Sequence, residues 1–185
     1  MADLDYNEKV DKRLRDRSPE VFGNFTRENA QYIIPTFIQG AKKSVEILSG
    51  SIPDGFYSDT PGEGRMSIFE ALQKAADGIA TNPDYARPSI RILTLDGVRH
   101  DGVENIAKSI NEKHNGIIEV IQARYTGNLQ MKHFLVVDEE RYRLEEYHEP
   151  FTEPPAILKA EVCCNGPEKA GRMVRLFNAL WGAVK

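Results

Sequence analysis

Met131-Lys132-His133-Phe134-Leu135-Val136-Val137-Asp138 is the stretch on which the fold turns. Phe134 to Val137 form an apolar run bounded by charge on both sides. A run this short, rich in aromatic and β-branched residues, reads as a strand buried on both faces. Glu139-Glu140 separates it from a second strand, so Lys132–Asp138 and Arg141–Glu146 have hairpin spacing even without Asn-Gly. A loop bearing Pro150, Pro154 and Pro155 follows, then a last strand, Ile157–Cys163, and a closing helix, Pro167–Trp181. That helix carries an apolar stripe of Ala170, Met173, Val174, Phe177, Leu180 and Trp181 at helical spacing. Asn165 suits its N-cap, and Pro167 sits in the first turn, where a missing N–H costs nothing.

Upstream of the hairpin, helices and strands alternate. Thr26 caps a helix over Arg27–Lys43 whose inward stripe is Ala30, Ile33, Ile34, Phe37, Ile38 and Ala41; Pro35 inside it predicts a kink or a later start. Val45–Ser49 is a short strand, followed by the turn-rich loop Gly50–Arg65. Ser67-x-x-Glu70 is a capping box opening a helix to Ala80. Ile90–Leu95 is a strand. Asp101-x-x-Glu104 reads as a second capping box, its helix turning Val103, Ile106, Ala107 and Ile110 inward and ending at Gly116. Ile117–Ala123 is the next strand. This order predicts an α/β fold, a mixed sheet flanked by helices on both faces, in a single domain over residues 25–185. Residues 1–24, dense in both signs of charge, form a charged N-terminal arm, read either as a partly ordered tail or as an arm against a partner subunit.

The 185 residues are 41% hydrophobic and 28% charged, ordinary for a globular chain. No apolar run is long enough to span a bilayer, and the N-terminus lacks the order of a secretory signal, so a cytoplasmic location and no membrane partner are expected. The net charge of −4 argues against a large nucleic-acid footprint without excluding a local one. Cys163 and Cys164 are adjacent, hence on opposite faces of a strand and poorly placed to bond each other; ordinary strand cysteines, one of them buried, are expected. His100 and His114 read as surface residues.

The element order together with Met131–Asp138 resembles one half of the phospholipase D superfamily, over residues 26–182. The family's motif is His-x-Lys-x-x-x-x-Asp, then Gly-Ser or Gly-Thr after six residues, then an Asn. Counted back from Asp138, the lysine position falls on His133 and the histidine position on Met131. Counted forward, Gly-Ser falls on Glu145-Glu146 and the Asn on His148. Only Asp138 remains.

In the family, two such motifs meet across a two-fold axis. One histidine attacks phosphorus, the other protonates the leaving group, and the lysines and Asn neutralise the developing charge. A methionine thioether does neither job, and two glutamates in place of Gly-Ser repel an anion. Strand parity in the family register would bring His133, Glu146 and His148 together near the old pocket. Two imidazoles and a carboxylate can hold a divalent metal or form a hydrogen-bonded cluster. The ligand spacing lacks the compactness of a zinc site, so no metal and no cofactor is assigned. Ser51, in the loop after a strand, is a further ligand candidate.

The resemblance therefore implies a non-catalytic phospholipase D-like module, a homodimer serving as regulator, sensor or scaffold and binding a small ligand or a protein partner. Its candidate contacts are Met131, His133, Glu145, Glu146, His148 and Ser51. The alternative from a different class is a divergent phosphodiesterase or nuclease using His133 or His148. A third is a nucleic-acid-binding protein, which the acidic balance disfavours.

Overall fold

The computed structural model describes residues 5–49, 66–82, 88–124, 132–146 and 159–185. The chain runs α1 (Tyr6–Arg15), β1 (Val21–Asn24), α2 (Arg27–Gln39), β2 (Val45–Ser49), α3 (Ile68–Ala80), β3 (Ile90–Thr94), α4 (Asp101–Lys113), β4 (Ile118–Gln122), β5 (Phe134–Val137), β6 (Arg141–Glu145), β7 (Ala160–Cys163) and α5 (Pro167–Val184). One seven-stranded sheet has the order β1-β7-β6-β5-β2-β3-β4. Pairs β2–β3 and β3–β4 are parallel, and every other pair is antiparallel. The expected mixed sheet with helices on both faces is what forms.

Strand parity divides the core in two. Val45, Ile47, Ile90, Ile92, Leu135, Val137 and Val162 face α1 to α4, while Leu48, Leu93, Phe134, Val136, Tyr142 and Cys163 face α5. Four buried residues in β5 thus serve both cores, which explains its unbroken apolar run. The adjacent cysteines follow the same division: Cys164 joins the first core and Cys163 the second. Both are free and both are buried, one more than expected, and burial first, then the Cys163 neighbour, pushes the Cys164 thiol up to about 12.

Most helix signals act as read. Thr26 accepts from the Asn29 N–H, and α2 runs through Pro35 to Gln39, so the later start does not occur. Ser67 and Glu70 close their capping box reciprocally. Two caps differ. The N-cap of α4 is His100 without a side-chain bond, and Asp101 and Glu104 instead grip Arg99. The N-cap of α5 is Gly166, while Asn165 Nδ2 donates to the Arg17 carbonyl. In both places the side chains found partners other than their own helix end, the neighbouring Arg99 at α4 and the distant Arg17 carbonyl at α5.

The segment read as a charged arm carries α1 and β1. Val10 of α1 is wholly buried in the first core, and β1 pairs antiparallel with β7, Asn24 opposite Ala160. Among the described residues no helix is long and apolar enough to cross a membrane.

Candidate functional site

The hairpin turn comes first, because it sets the register of everything beyond it. Asp138 and Glu139 both take positive φ, 58° and 56°, and the Glu140 N–H returns to the Val137 carbonyl. Positive φ at both central residues suits the twist of a hairpin, and Asp tolerates it better than most residues. The Asp138 carboxylate accepts three successive backbone N–H groups, Lys42 at 2.9 Å, Lys43 at 2.7 Å and Ser44 at 3.1 Å. It also pairs with Arg141 at 2.9 Å, and Arg141 donates onward to the Gly40 carbonyl at 2.8 Å. Asp138 is thus a clamp between the hairpin and the α2–β2 turn.

With the turn fixed, Val137 faces Arg141 and Phe134 faces Leu144. The next pair is His133 and Glu145, joined by a 2.8 Å bond from the Glu145 N–H to the His133 carbonyl. This corrects the parity expected from sequence. Glu145, not Glu146, shares a face with His133; Glu146 is exposed, and its N–H goes to the Lys159 carbonyl at 2.8 Å. A shift of one residue exchanges the faces of a strand, and the turn, not the spacing of the motif, sets the register.

Followed across the sheet, this level is a row of polar residues. Glu145 lies opposite Ala160, and Ala160 opposite Asn24. On the other side, the β2–β5 register (Leu48 opposite Phe134), carried one residue further, sets Ser49 beside His133. Ser49 neighbours Thr94, and Thr94 neighbours Gln122. All stand on the face covered by α1 to α4, one pleat beyond the apolar layer of Ile47, Ile92 and Leu135. The row lies at the carboxyl ends of the three parallel strands, where open α/β sheets hold ligands.

The left half of the row is charged and buried. Arg143, two residues before Glu145 on the same face, pairs with Glu145 Oε2 at 2.6 Å. Arg143 Nε donates to Asn24 Oδ1 at 2.7 Å, and Asn24 Nδ2 donates to the Tyr6 hydroxyl at 3.2 Å. Burial pushes the Tyr6 phenol up to about 12, against the smaller opposing pull of the Asn24 bond, so it remains neutral. The remaining Glu145 oxygen, Oε1, lies 3.9 Å from His133 Nδ1, within electrostatic contact but beyond a direct hydrogen bond. The anionic repulsion expected from Glu145 is therefore offset in place by Arg143. Lys132 is exposed, on the opposite parity to His133.

At the other end, His100 Nε2 meets Asp96 Oδ2 at 2.8 Å, the His100 backbone N–H donates to Gln122 Oε1, and Gln122 Nε2 donates to Glu104 at 2.9 Å. His114 meets Asp77 at 2.7 Å. Neither imidazole is the surface residue expected; both are largely covered and paired. Between the two halves, the Thr94 hydroxyl is buried and makes no hydrogen bond.

Of the sequence-derived candidates, His133 and Glu145 are brought together and Glu146 is turned away. Met131, His148 and Ser51 lie outside the described residues. Among the described residues no group of three or more His, Cys, Asp or Glu is placed to hold a metal ion. Arg143, Asn24, Tyr6, Ser49, Thr94 and Gln122 were not anticipated. Only Arg143 left a trace, an Arg-x-Glu alternation on a strand whose near face is buried.

Solved structures agree with this topology. Nuc from Salmonella typhimurium, a phospholipase D family member, superposes with a TM-score of 0.57 at 18% identity, covering 89% of this chain and 95% of that one. NucT from Helicobacter pylori gives 0.53 at 11%, covering 88% and 97%. TrmBL2, an archaeal chromatin protein with a novel mode of DNA binding, gives 0.57 at 13%, covering 96% of this chain and 60% of that one. No protein-family model and no curated protein sequence matches the chain. The fold is phospholipase D-like.

Proposed function

We propose that this chain is a non-catalytic phospholipase D-like module, homodimeric, that binds a small ligand or a protein partner at the carboxyl edge of its sheet in a regulatory, sensor or scaffold role. The contacts would be His133 and Glu145 with Met131, Glu146, His148 and Ser51 from the adjoining segments. The observation that carries the reading is the buried Arg143–Glu145 pair beside His133. A site for phosphoryl transfer needs cationic charge left available to the phosphoryl oxygens. Here the Arg143 guanidinium is engaged by Asn24 and Glu145, the lysine position of the resemblance is His133, and the nucleophile position is Met131. The homodimer rests on the resemblance to single-motif members, which pair two copies across a shared site.

A second reading, a divergent phosphodiesterase or nuclease, draws on one distance. A carboxylate 3.9 Å from His133 Nδ1 is one small side-chain movement from the carboxylate–imidazole hydrogen bond that hydrolytic dyads use. One assay separates the two. Purified protein is incubated with bis-p-nitrophenyl phosphate and with DNA, with and without zinc or manganese. We expect no turnover, and a dimer by light scattering. Turnover that His133→Ala abolishes overturns the non-catalytic reading, and a strict monomer removes the shared pocket. DNA retained without cleavage, in a gel shift weakened by salt, would favour a nucleic-acid binder instead.

A further inference from the structure

The other polar side chains of the row have partners, and Thr94 breaks the pattern. It is 0% exposed, and its hydroxyl makes no hydrogen bond. Strand parity puts it on the face of Ile90 and Ile92, one pleat beyond the apolar layer, with Ser49 beside it on β2 and Gln122 beside it on β4. Gln122 turns elsewhere: its amide oxygen accepts the His100 backbone N–H, and its Nε2 donates to Glu104. The Thr94 carbonyl is in the ladder, accepting from the Ala123 N–H at 2.9 Å. The hydroxyl alone is left over.

A buried hydroxyl without a partner lowers stability by the hydration it has lost. Valine has the same shape, suits a strand as well and carries no such loss. The fold therefore gives no reason for threonine here. We propose that Thr94 is a specificity-determining ligand contact, its hydroxyl left unbonded in the free chain so that it can bond a neutral hydroxyl or carboxamide of a small ligand at the carboxyl edge. This rests on the ligand site lying at that edge, as proposed above, and names the chemistry it takes.

A hydroxyl both donates and accepts, so its best complement does both, whereas an anion uses only the donor. The charges at this end of the row point the same way. Asp96 meets His100, and Asp101 and Glu104 both meet Arg99. Among the described residues at this end that leaves Arg124, an exposed residue at the rim, whereas Thr94 is wholly covered. An anion beside Thr94 would face carboxylates that already hold the nearby cations. A ligand without the polar group would leave the hydroxyl buried and unpaired, which rejects it more sharply than an apolar pocket does.

Stability and a neutral probe test this in separate arms. Without any ligand, Thr94→Val should raise the melting midpoint of the full chain by about 3 °C. A midpoint that is unchanged or lower, or a variant that does not fold, means that the hydroxyl is already satisfied in the free chain, by ordered water for instance, and overturns the proposal. In the second arm, ribose and inorganic phosphate are each titrated into the nitrogen-15-labelled chain. The Thr94 backbone amide and the Gln122 side-chain amide are followed by NMR. Ribose should shift both saturably, and phosphate should shift neither. Thr94→Val should weaken ribose about tenfold, while Thr94→Ser, which keeps the hydroxyl, should stay within about twofold of the wild type. No ribose shift up to molar concentration, an affinity that ignores Thr94→Val, or a response to phosphate equal to that for ribose overturns the proposal. Neither arm reads phosphodiester turnover or association state, so a failure of the non-catalytic, homodimeric reading shows itself separately.

Discussion

The carboxylate of Asp138 receives the backbone N–H of Lys43 at 2.7 Å, across 95 residues of sequence. It gathers the adjacent Lys42 and Ser44 N–H groups as well, so one side chain satisfies three successive donors of the α2–β2 turn. Three convergent N–H groups form an anion-binding concavity, here filled by the protein itself.

Asp138→Ala should therefore destabilise the chain by about 2 kcal/mol, since it removes the shared acceptor of three backbone donors and the carboxylate that pairs with Arg141. Asp138→Asn should cost less, because the amide oxygen still accepts and Asn tolerates positive φ. Urea unfolding followed by circular dichroism checks both, with the midpoint falling and the slope unchanged.

Arg91 does comparable work on the opposite face. It pairs with Glu46 at 2.9 Å and donates to Asn178 at 2.7 Å, while its guanidinium lies 5.0 Å and 5.8 Å from the ring centres of Phe177 and Trp181. Arg91→Met should lose about 3 kcal/mol by leaving the Glu46 carboxylate buried without its cation, with the Ser44 hydroxyl still donating to it. Trp181 is the single tryptophan, so a red-shifted fluorescence maximum would report the loosening of α5 directly.

Glu46 also predicts a pH dependence. Its burial raises the carboxyl above 4.5, against the opposing pull of Arg91 and Ser44. Between 4.5 and that raised value the folded chain holds a proton that the unfolded chain has released. The contribution to stability is thus complete below 4.5 and is lost as pH rises through the folded value. Glu46→Gln should flatten this part of the profile of melting temperature against pH. A slope as steep as the wild type's would assign it to another group.

Asp77 behaves in the opposite sense. Lys113 first, then His114, hold its carboxyl below 3.8, so its contribution is present above 3.8 and is lost as pH falls through the depressed value. The side chain is 48% exposed, and salt screens such a pair. Asp77→Asn should lower the melting temperature by a small amount at low salt, and the difference should vanish at high salt.

The sequence made the sheet legible because its strands are short apolar runs and its helices carry caps. Val45–Ser49 and the Ser67–Glu70 box could be read directly. Edge strand β1 could not, since Val21-Phe22-Gly23-Asn24 is short, half-exposed and paired with a strand more than a hundred residues away. At the site, His133 and Glu145 were visible as residue types. Their facing was not, because the turn at Asp138, with two positive φ angles, sets a register that spacing alone does not encode. Asn24 and Tyr6 were invisible for a simpler reason: nothing local links them to Arg143.

Strand β5 runs the width of the sheet, from the polar row at His133 to the clamp at Asp138. The two ends of this stretch therefore carry different loads. The Asp138 end ties the hairpin to the α2–β2 turn, so a change there is read in the stability of the whole sheet. The His133 end faces the polar row, so a change there is read in the charge of that row while the hairpin stays closed.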